Sequence, residues 1–257
     1  MDFGLKGKTA LVTGAAGGIG GAIARDLAKE GVNLSLCYHK NKCDELVAEI
    51  KQIGREVIAV QADVSQVDDV RAAVKSTHEK FGRIDILVNN AGLGIAGSVE
   101  DTTVEDWDRV MAINLKSVFL FSQATLKYMK QQKWGRIINI GSVVAKNSTN
   151  ARPWLDPQSS SRFGGGVYAA SKAGVHTLTR TLAKELASFG ITVNCIAPGP
   201  TKSNMLPVLA DALREQIPVG RMGMPEEISA FVVLMASERA GFVTGEVMDI
   251  NGGLWMD

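Results

Sequence analysis

Along this chain, short runs of consecutive apolar residues alternate with longer stretches whose apolar positions recur at helical spacing. Residues 9–13 and 33–38 are runs of the first kind, each followed by a stretch of the second, 18–30 and 44–53. Residues 57–61 lead into a helix ending near Phe81, and 84–88 form the next run. Beyond them the pattern predicts a long helical stretch over 104–132, a strand over 136–140, a helix over 168–189 and a strand over 192–196. A helix over 225–237 and a strand over 247–250 end the series. Strands that alternate with helices imply βαβ crossovers, and therefore a parallel sheet with helices on both faces. Ala10-Leu11-Val12 and Ile86-Leu87-Val88 are apolar throughout, as strands covered on both sides must be. About seven strands and no internal linker predict one α/β domain over 1–257, a doubly wound, Rossmann-type sheet.

Two segments break this rhythm. Residues 146–166 carry Pro153, Pro157, three consecutive serines and three consecutive glycines, which is loop chemistry of unusual length. Residues 198–218 carry four prolines and begin where a strand ends. Loops after the strands of such a sheet gather at its carboxyl edge, so both are expected to meet the substrate.

Composition narrows the function classes. Lys and Arg number 28 against 27 Asp and Glu, so no overall field favours nucleic acid or an anionic membrane. A signal-peptide run at the N-terminus and an apolar stretch of membrane-spanning length are both missing, which leads us to expect a cytoplasmic protein. Cys37, Cys43 and Cys195 are odd in number and lack CxxC spacing, and the three histidines are scattered. Neither a disulfide framework nor a metal site is therefore expected.

The first strand runs into Gly14-Ala15-Ala16-Gly17-Gly18-Ile19-Gly20 and then into a helix. Glycines let backbone approach a pyrophosphate closely, and the helix N-terminus behind them offers free N–H groups. The spacing is Gly-x-x-x-Gly-x-Gly. Preceded by Thr13, it resembles the cofactor loop of the short-chain dehydrogenase/reductase family. Asp63-Val64 and Asn89-Asn90-Ala91-Gly92 also match family motifs, as do Asn114, Ser142, Tyr168-Ala-Ala-Ser-Lys172 and Pro198-Gly199. They follow in family order over almost the whole chain, and within the family the sequence is most similar to 3-oxoacyl-acyl-carrier-protein reductases and related sugar or polyol dehydrogenases.

The resemblance implies a nicotinamide dinucleotide lying along Gly14, Gly17, Gly18, Ile19 and Gly20. It also implies that Asp63 and Val64 meet the adenine and that Asn90, Ala91 and Gly92 brace the sheet beside it. Pro198, Gly199, Thr201 and Ser203 would hold the nicotinamide carboxamide, although the family more often has threonine where Ser203 stands. At the end of the second strand, a carboxylate suits the ribose of NAD and basic residues suit the 2′-phosphate of NADP. That place reads Tyr38-His39-Lys40-Asn41-Lys42, with no carboxylate before Asp44. A phosphate would find basic partners there and a ribose diol no acceptor carboxylate, so NADP(H) is favoured. Gly17, however, lacks the positive charge some NADP-preferring relatives carry inside the loop, and NAD(H) stays open.

Tyr168 and Lys172 stand one helical turn apart on one face. A nearby ammonium and a positively charged nicotinamide ring favour the phenolate, so Tyr168 can act as acid or base toward an alcohol or carbonyl. Ser142 would hold the substrate oxygen. By resemblance, Lys172 also grips the nicotinamide ribose, and Asn114 supports Lys172 through a water. Ser142 lacks the Gly-x-Ser-x-Gly elbow of a hydrolase, which leaves hydride transfer as the preferred chemistry.

The reading is thus an NAD(P)-dependent oxidoreductase acting on a small carbonyl or secondary alcohol. A dinucleotide-binding regulator without catalysis is the alternative from another class, and an epimerase or dehydratase a third. The spacing from Ser142 to Tyr168 exceeds the family pattern, and Trp154, Leu155 and Phe163 of that insertion are expected to wall a substrate pocket. Family resemblance further implies a homo-oligomer, a dimer or homotetramer built through the helices over 104–132 and 168–189.

Overall fold

The computed structural model describes residues 2–95, 98–148, 165–203 and 214–256. Seven strands form one sheet: β1 (Thr9–Thr13), β2 (Asn33–Tyr38), β3 (Val57–Gln61), β4 (Ile86–Asn89), β5 (Gly135–Ile140), β6 (Ile191–Pro198) and β7 (Val247–Ile250). Their order is β3-β2-β1-β4-β5-β6-β7, and every pairing is parallel. Successive residues of a strand point to opposite faces. Ala10 and Val12 accordingly join a core with Ile23, Leu27 and Ile228, while Leu11 joins another with Val74, Phe121 and Leu182. Both faces are covered, which explains the unbroken apolar runs.

On the first face lie α1 (Gly18–Lys29), α2 (Asp44–Gln52) and α8 (Pro225–Ala236). The second carries α3 (Val67–Phe81), α5 (Ser117–Gln132) and α7 (Gly166–Leu186). Two further helices are α4 (Val104–Met111), whose Thr103 hydroxyl accepts from the Asp106 N–H at 3.1 Å, and the short α6 (Val144–Asn147). The long stretch expected over 104–132 is continuous but not uniform. Between α4 and α5 the backbone widens into a π-helical turn, Ala112–Lys116, with Asn114 inside it. Such a bulge redirects side chains and recurs at functional sites.

Strand order reverses between β1 and β4, and the carboxyl ends of the strands share one edge. Ligands of open parallel sheets bind at such a crevice. Thr13 ends β1, Asn89 ends β4, and Ser142 lies two residues past the end of β5, so the motifs of three crossovers converge there. Residues 149–164 and 204–213, and with them Trp154, Leu155 and Phe163, lie outside the described residues. Among the described residues, no helix is long and apolar enough to cross a membrane.

Candidate active site

The glycine loop is stitched to the turn after β4. The Thr13 hydroxyl accepts the N–H groups of Asn90 and Ala91, both at 3.0 Å, and the Asn90 amide donates to the carbonyls of Thr13 and Gly14, both at 3.0 Å. Gly14 has φ +64°, and a Cβ on it would lie 2.9 Å from Ala91 Cα. A Cβ on Gly20 would run into the Gly14 carbonyl oxygen. These two glycines allow the loop, the first turn of α1 and the β4 turn to close on one another. Gly17 precedes the first turn of α1, Gly18 has φ +54°, and Ile19 packs, partly buried, against the α1 face of the core. A pyrophosphate fits this bare backbone and helix start.

Ser142, Tyr168, Lys172 and Asn114 come together at the end of β5. Ser142 is buried, and its segment is fixed to the end of β6 by Gly141 N–H to the Ile196 carbonyl, 2.7 Å, and Val143 N–H to that of Pro198, 3.0 Å. A hydrogen bond links Ser142 to the Tyr168 phenol. Lys172, only 4% exposed, donates from Nζ to the Ile140 carbonyl at 2.7 Å, and that Nζ lies 5.8 Å from the centre of the Tyr168 ring. A Cβ on Gly92 would stand 3.5 Å from Lys172 Nζ and 3.6 Å from Asn114 Oδ1, so both polar atoms converge on one spot beside the β4 turn. Fully buried, Asn114 clamps Leu93 by accepting its N–H at 2.7 Å and donating to its carbonyl at 2.9 Å, and it donates to Ser171 Oγ at 3.0 Å. Ser171 Oγ in turn donates to the Tyr168 carbonyl, 2.7 Å.

Burial governs the electrostatics of Tyr168 and Lys172 in the cofactor-free protein. Burial pushes the Tyr168 phenol up from its ordinary value, and the hydrogen bond with Ser142 only partly opposes this. The polypeptide by itself therefore keeps Tyr168 protonated, because desolvation outweighs any pull toward phenolate. A protonated phenol is the form that gives a proton to a developing alkoxide. Burial also brings Lys172 down to about 8, against a smaller opposing influence of Cys195.

The adenosine end carries charges of both signs. On the outer side of the glycine loop a cleft of about 350 Å³ is lined by Ala16, Gly17, Gly21 and Arg25 on one side and residues 42–46 on the other. Lys42 lines it, but so do Asp44 and Glu45, because the start of α2 folds back toward α1. Arg25, a basic residue that sequence reasoning missed, is half-exposed and bonded through Nε to Glu49 Oε2 at 2.5 Å. Tyr38 packs partly buried at the end of β2, whereas Lys40 is exposed. His39 stands close enough to Asp63 to help lower that carboxyl. Burial pushes Asp63 upward, but hydrogen bonds from Ser65 at 2.7 and 2.9 Å, together with His39, outweigh it. Val64 packs partly buried on the α3 face.

After β6, Gly199 donates its N–H to the Ile250 carbonyl at 2.9 Å, and the Thr201 hydroxyl donates to the Gly199 carbonyl at 3.0 Å. Thr201 is buried and bridges to Gly223. Ser203 reaches back over the glycine loop, its Cβ 3.3 Å from where a Cβ on Gly18 would stand. The segment starting at Pro198 therefore lies against the same crevice as the phosphate loop. Ser171 and the Ile140 carbonyl were not singled out from sequence, although a serine beside Lys172 on the buried face of a helix is a signal that could have found the first.

A family model described as "Enoyl-(Acyl carrier protein) reductase" matches residues 14–255. This chain belongs to the short-chain dehydrogenase/reductase family. Members are NAD(P)-dependent oxidoreductases. Among its relatives, the 3-oxoacyl-[acyl-carrier-protein] reductase FabG of Staphylococcus aureus is 41% identical over 255 residues, with 97% of this chain and 98% of that protein covered. FabG of Thermotoga maritima is 39% identical over 259 residues, covering 97% and 98%. Two solved structures of the family are similar throughout. A dehydrogenase/reductase from Sinorhizobium meliloti has TM-score 0.89 and 38% identity, covering 99% of this chain and 98% of that one. A short-chain dehydrogenase from Burkholderia cenocepacia in complex with NADP has TM-score 0.88 and 36% identity, covering 97% and 98%.

Proposed function

We propose that this short-chain dehydrogenase/reductase reduces the ketone of a 3-oxoacyl thioester or a related small carbonyl compound with NADPH, using Tyr168 as general acid. The observation that carries the reading is the meeting of Ser142, Tyr168, Lys172 and Asn114 beside the glycine loop. FabG relatives at 41% identity over nearly full length support the substrate class, and the NADP complex of a similar structure supports the cofactor.

The glycine loop, Asp63-Val64, Asn90 to Gly92 and residues 198–203 would hold the dinucleotide. When bound, that group supplies the hydride. Ser142 holds the carbonyl oxygen in place, and Tyr168 gives its proton to that oxygen as negative charge builds there. Lys172 keeps a cation beneath the phenol and so favours its charged form once the proton has left. Asn114 fixes the backbone at Leu93 and, through Ser171, the first turn of α7 that carries Tyr168.

The enzyme is also proposed to form a dimer or tetramer through α4, α5 and α7. Trp107 and Phe119, each 45% exposed on the first two of these, are large apolar side chains suited to such a contact.

An absorbance assay of NADPH and NADH oxidation against 3-oxoacyl thioesters, keto-esters, ketoses and aromatic ketones tests the reading. Turnover of the thioesters with NADPH is expected. No oxidation with any carbonyl would overturn it.

A further inference from the structure

Two segments flank the proposed reaction site: Ser142–Asn147 after β5, whose Ser142 would hold the substrate oxygen, and Pro198–Thr201 after β6, which would hold the nicotinamide end of the dinucleotide. Both are held by one element at the sheet edge. Lys146 of α6 extends Nζ to Asp249 Oδ2 of β7 at 2.6 Å, the two side chains being 10% and 20% exposed. In β7, Asp249 pairs in register with Ala197 and Ile250 with Pro198. A mostly buried ion pair between an edge strand and a four-residue helix orients that helix, because breaking it strands a charge away from water.

The turn after β7 grips the second segment. Beyond the bond from the Gly199 N–H to the Ile250 carbonyl, a Cβ on Gly199 would lie 2.8 Å from Asn251 Cα, so the two backbones are in close contact. Asn251 fixes the turn by accepting the Gly253 N–H and donating to the Trp255 carbonyl, both at 3.0 Å. Gly252 accepts the Val219 N–H at 3.1 Å. With φ +66°, a Cβ on it would stand 2.8 Å from Ile217 Cγ2. Lys202 and Gly223 then close the base of the same segment, N–H to carbonyl, at 2.9 Å.

We infer that β7 braces the segment that carries Ser142, with Asp249, acting through Lys146, as a positioning residue of the reaction. The inference rests on the proposed role of Ser142. Asp249 acts on Ser142 through Lys146 and the short helix α6 that follows Ser142. Among the described residues, the contacts of this ion pair do not reach the glycine loop, so it sets substrate geometry rather than phosphate binding.

The test combines amide hydrogen exchange with steady-state kinetics on Lys146→Met, Asp249→Asn and the charge-swapped pair Lys146→Asp with Asp249→Lys. Faster exchange at residues 142–147 in both single variants is expected with the glycine loop unchanged. Substrate KM for a 3-oxoacyl thioester should rise about tenfold, or roughly 1.4 kcal/mol, with NADPH Kd held within about twofold. The swapped pair should recover most of the lost KM. Lower thermal stability with unchanged KM, or exchange rising equally in the glycine loop, would overturn the brace. A wild type without turnover would contradict the proposed function alone, since the exchange pattern tests the brace without activity.

Discussion

Lys172 Nζ donates to the carbonyl of Ile140 at 2.7 Å, which ties the helix carrying Tyr168 to the last residue of the strand leading to Ser142. One hydrogen bond thus sets the two groups proposed to meet a carbonyl oxygen, and it does so with an ammonium that burial brings down to about 8.

That burial makes stability depend on pH in a defined window. Unfolded, the lysine titrates near its ordinary 10.5, while folded it releases its proton at about 8. Between these values the unfolded state binds more protons, so stability rises with pH. Below pH 8 the cofactor-free protein carries the full cost of a buried ammonium, roughly 3 kcal/mol. Denaturant unfolding of wild type and Lys172→Met from pH 7 to 10.5 should show the wild type gaining on the variant as pH rises. A difference that stays flat across this range would refute the linkage.

Asn114 should prove structural and catalytic at once. Asn114→Leu leaves the Leu93 N–H and carbonyl without their partner in a buried place, at a cost of about 1–3 kcal/mol. A fall in Tm of roughly 4–8 °C is expected for a domain of this size, with kcat reduced more than NADPH affinity. An unchanged Tm would mean that the clamp on Leu93 contributes nothing.

Cofactor choice is proposed to turn on a cleft whose walls carry both signs of charge, Arg25 and Lys42 against Asp44 and Glu45. Removing a cation there should weaken NADPH binding and spare NADH. Arg25→Gln and Lys42→Ala are each expected to raise KM for NADPH by about threefold to tenfold, as suits a partly exposed charge-assisted contact. Equal effects on both cofactors would show that neither residue meets the 2′-phosphate.

Much of this was legible in the sequence, for reasons that also mark where legibility ends. Apolar runs such as Ala10-Leu11-Val12 declare buried parallel strands, and the seven strands were found to within about two residues. The grouping of Ser142, Tyr168 and Lys172 follows because each sits on or after an element whose end lies at one sheet edge. The π-helical turn around Asn114 was not legible, since its helical periodicity continues on both sides and only backbone geometry reveals the bulge. In the sequence Asp44 figures only as the first carboxylate beyond β2, and Glu45 does not figure at all. Folding of α2 against α1 brings them to the glycine loop, a relation that no spacing along the chain expresses.

Tyr168→Phe tests the central claim most directly. It removes one oxygen and keeps the ring against Lys172, so the dinucleotide site should survive. In an NADPH oxidation assay with a 3-oxoacyl thioester, kcat should fall by about 10²–10⁴-fold while the NADPH Kd, read by fluorescence titration, stays unchanged. A variant retaining kcat within a few-fold of wild type would show that the proton comes from another group and that Tyr168 is not the acid.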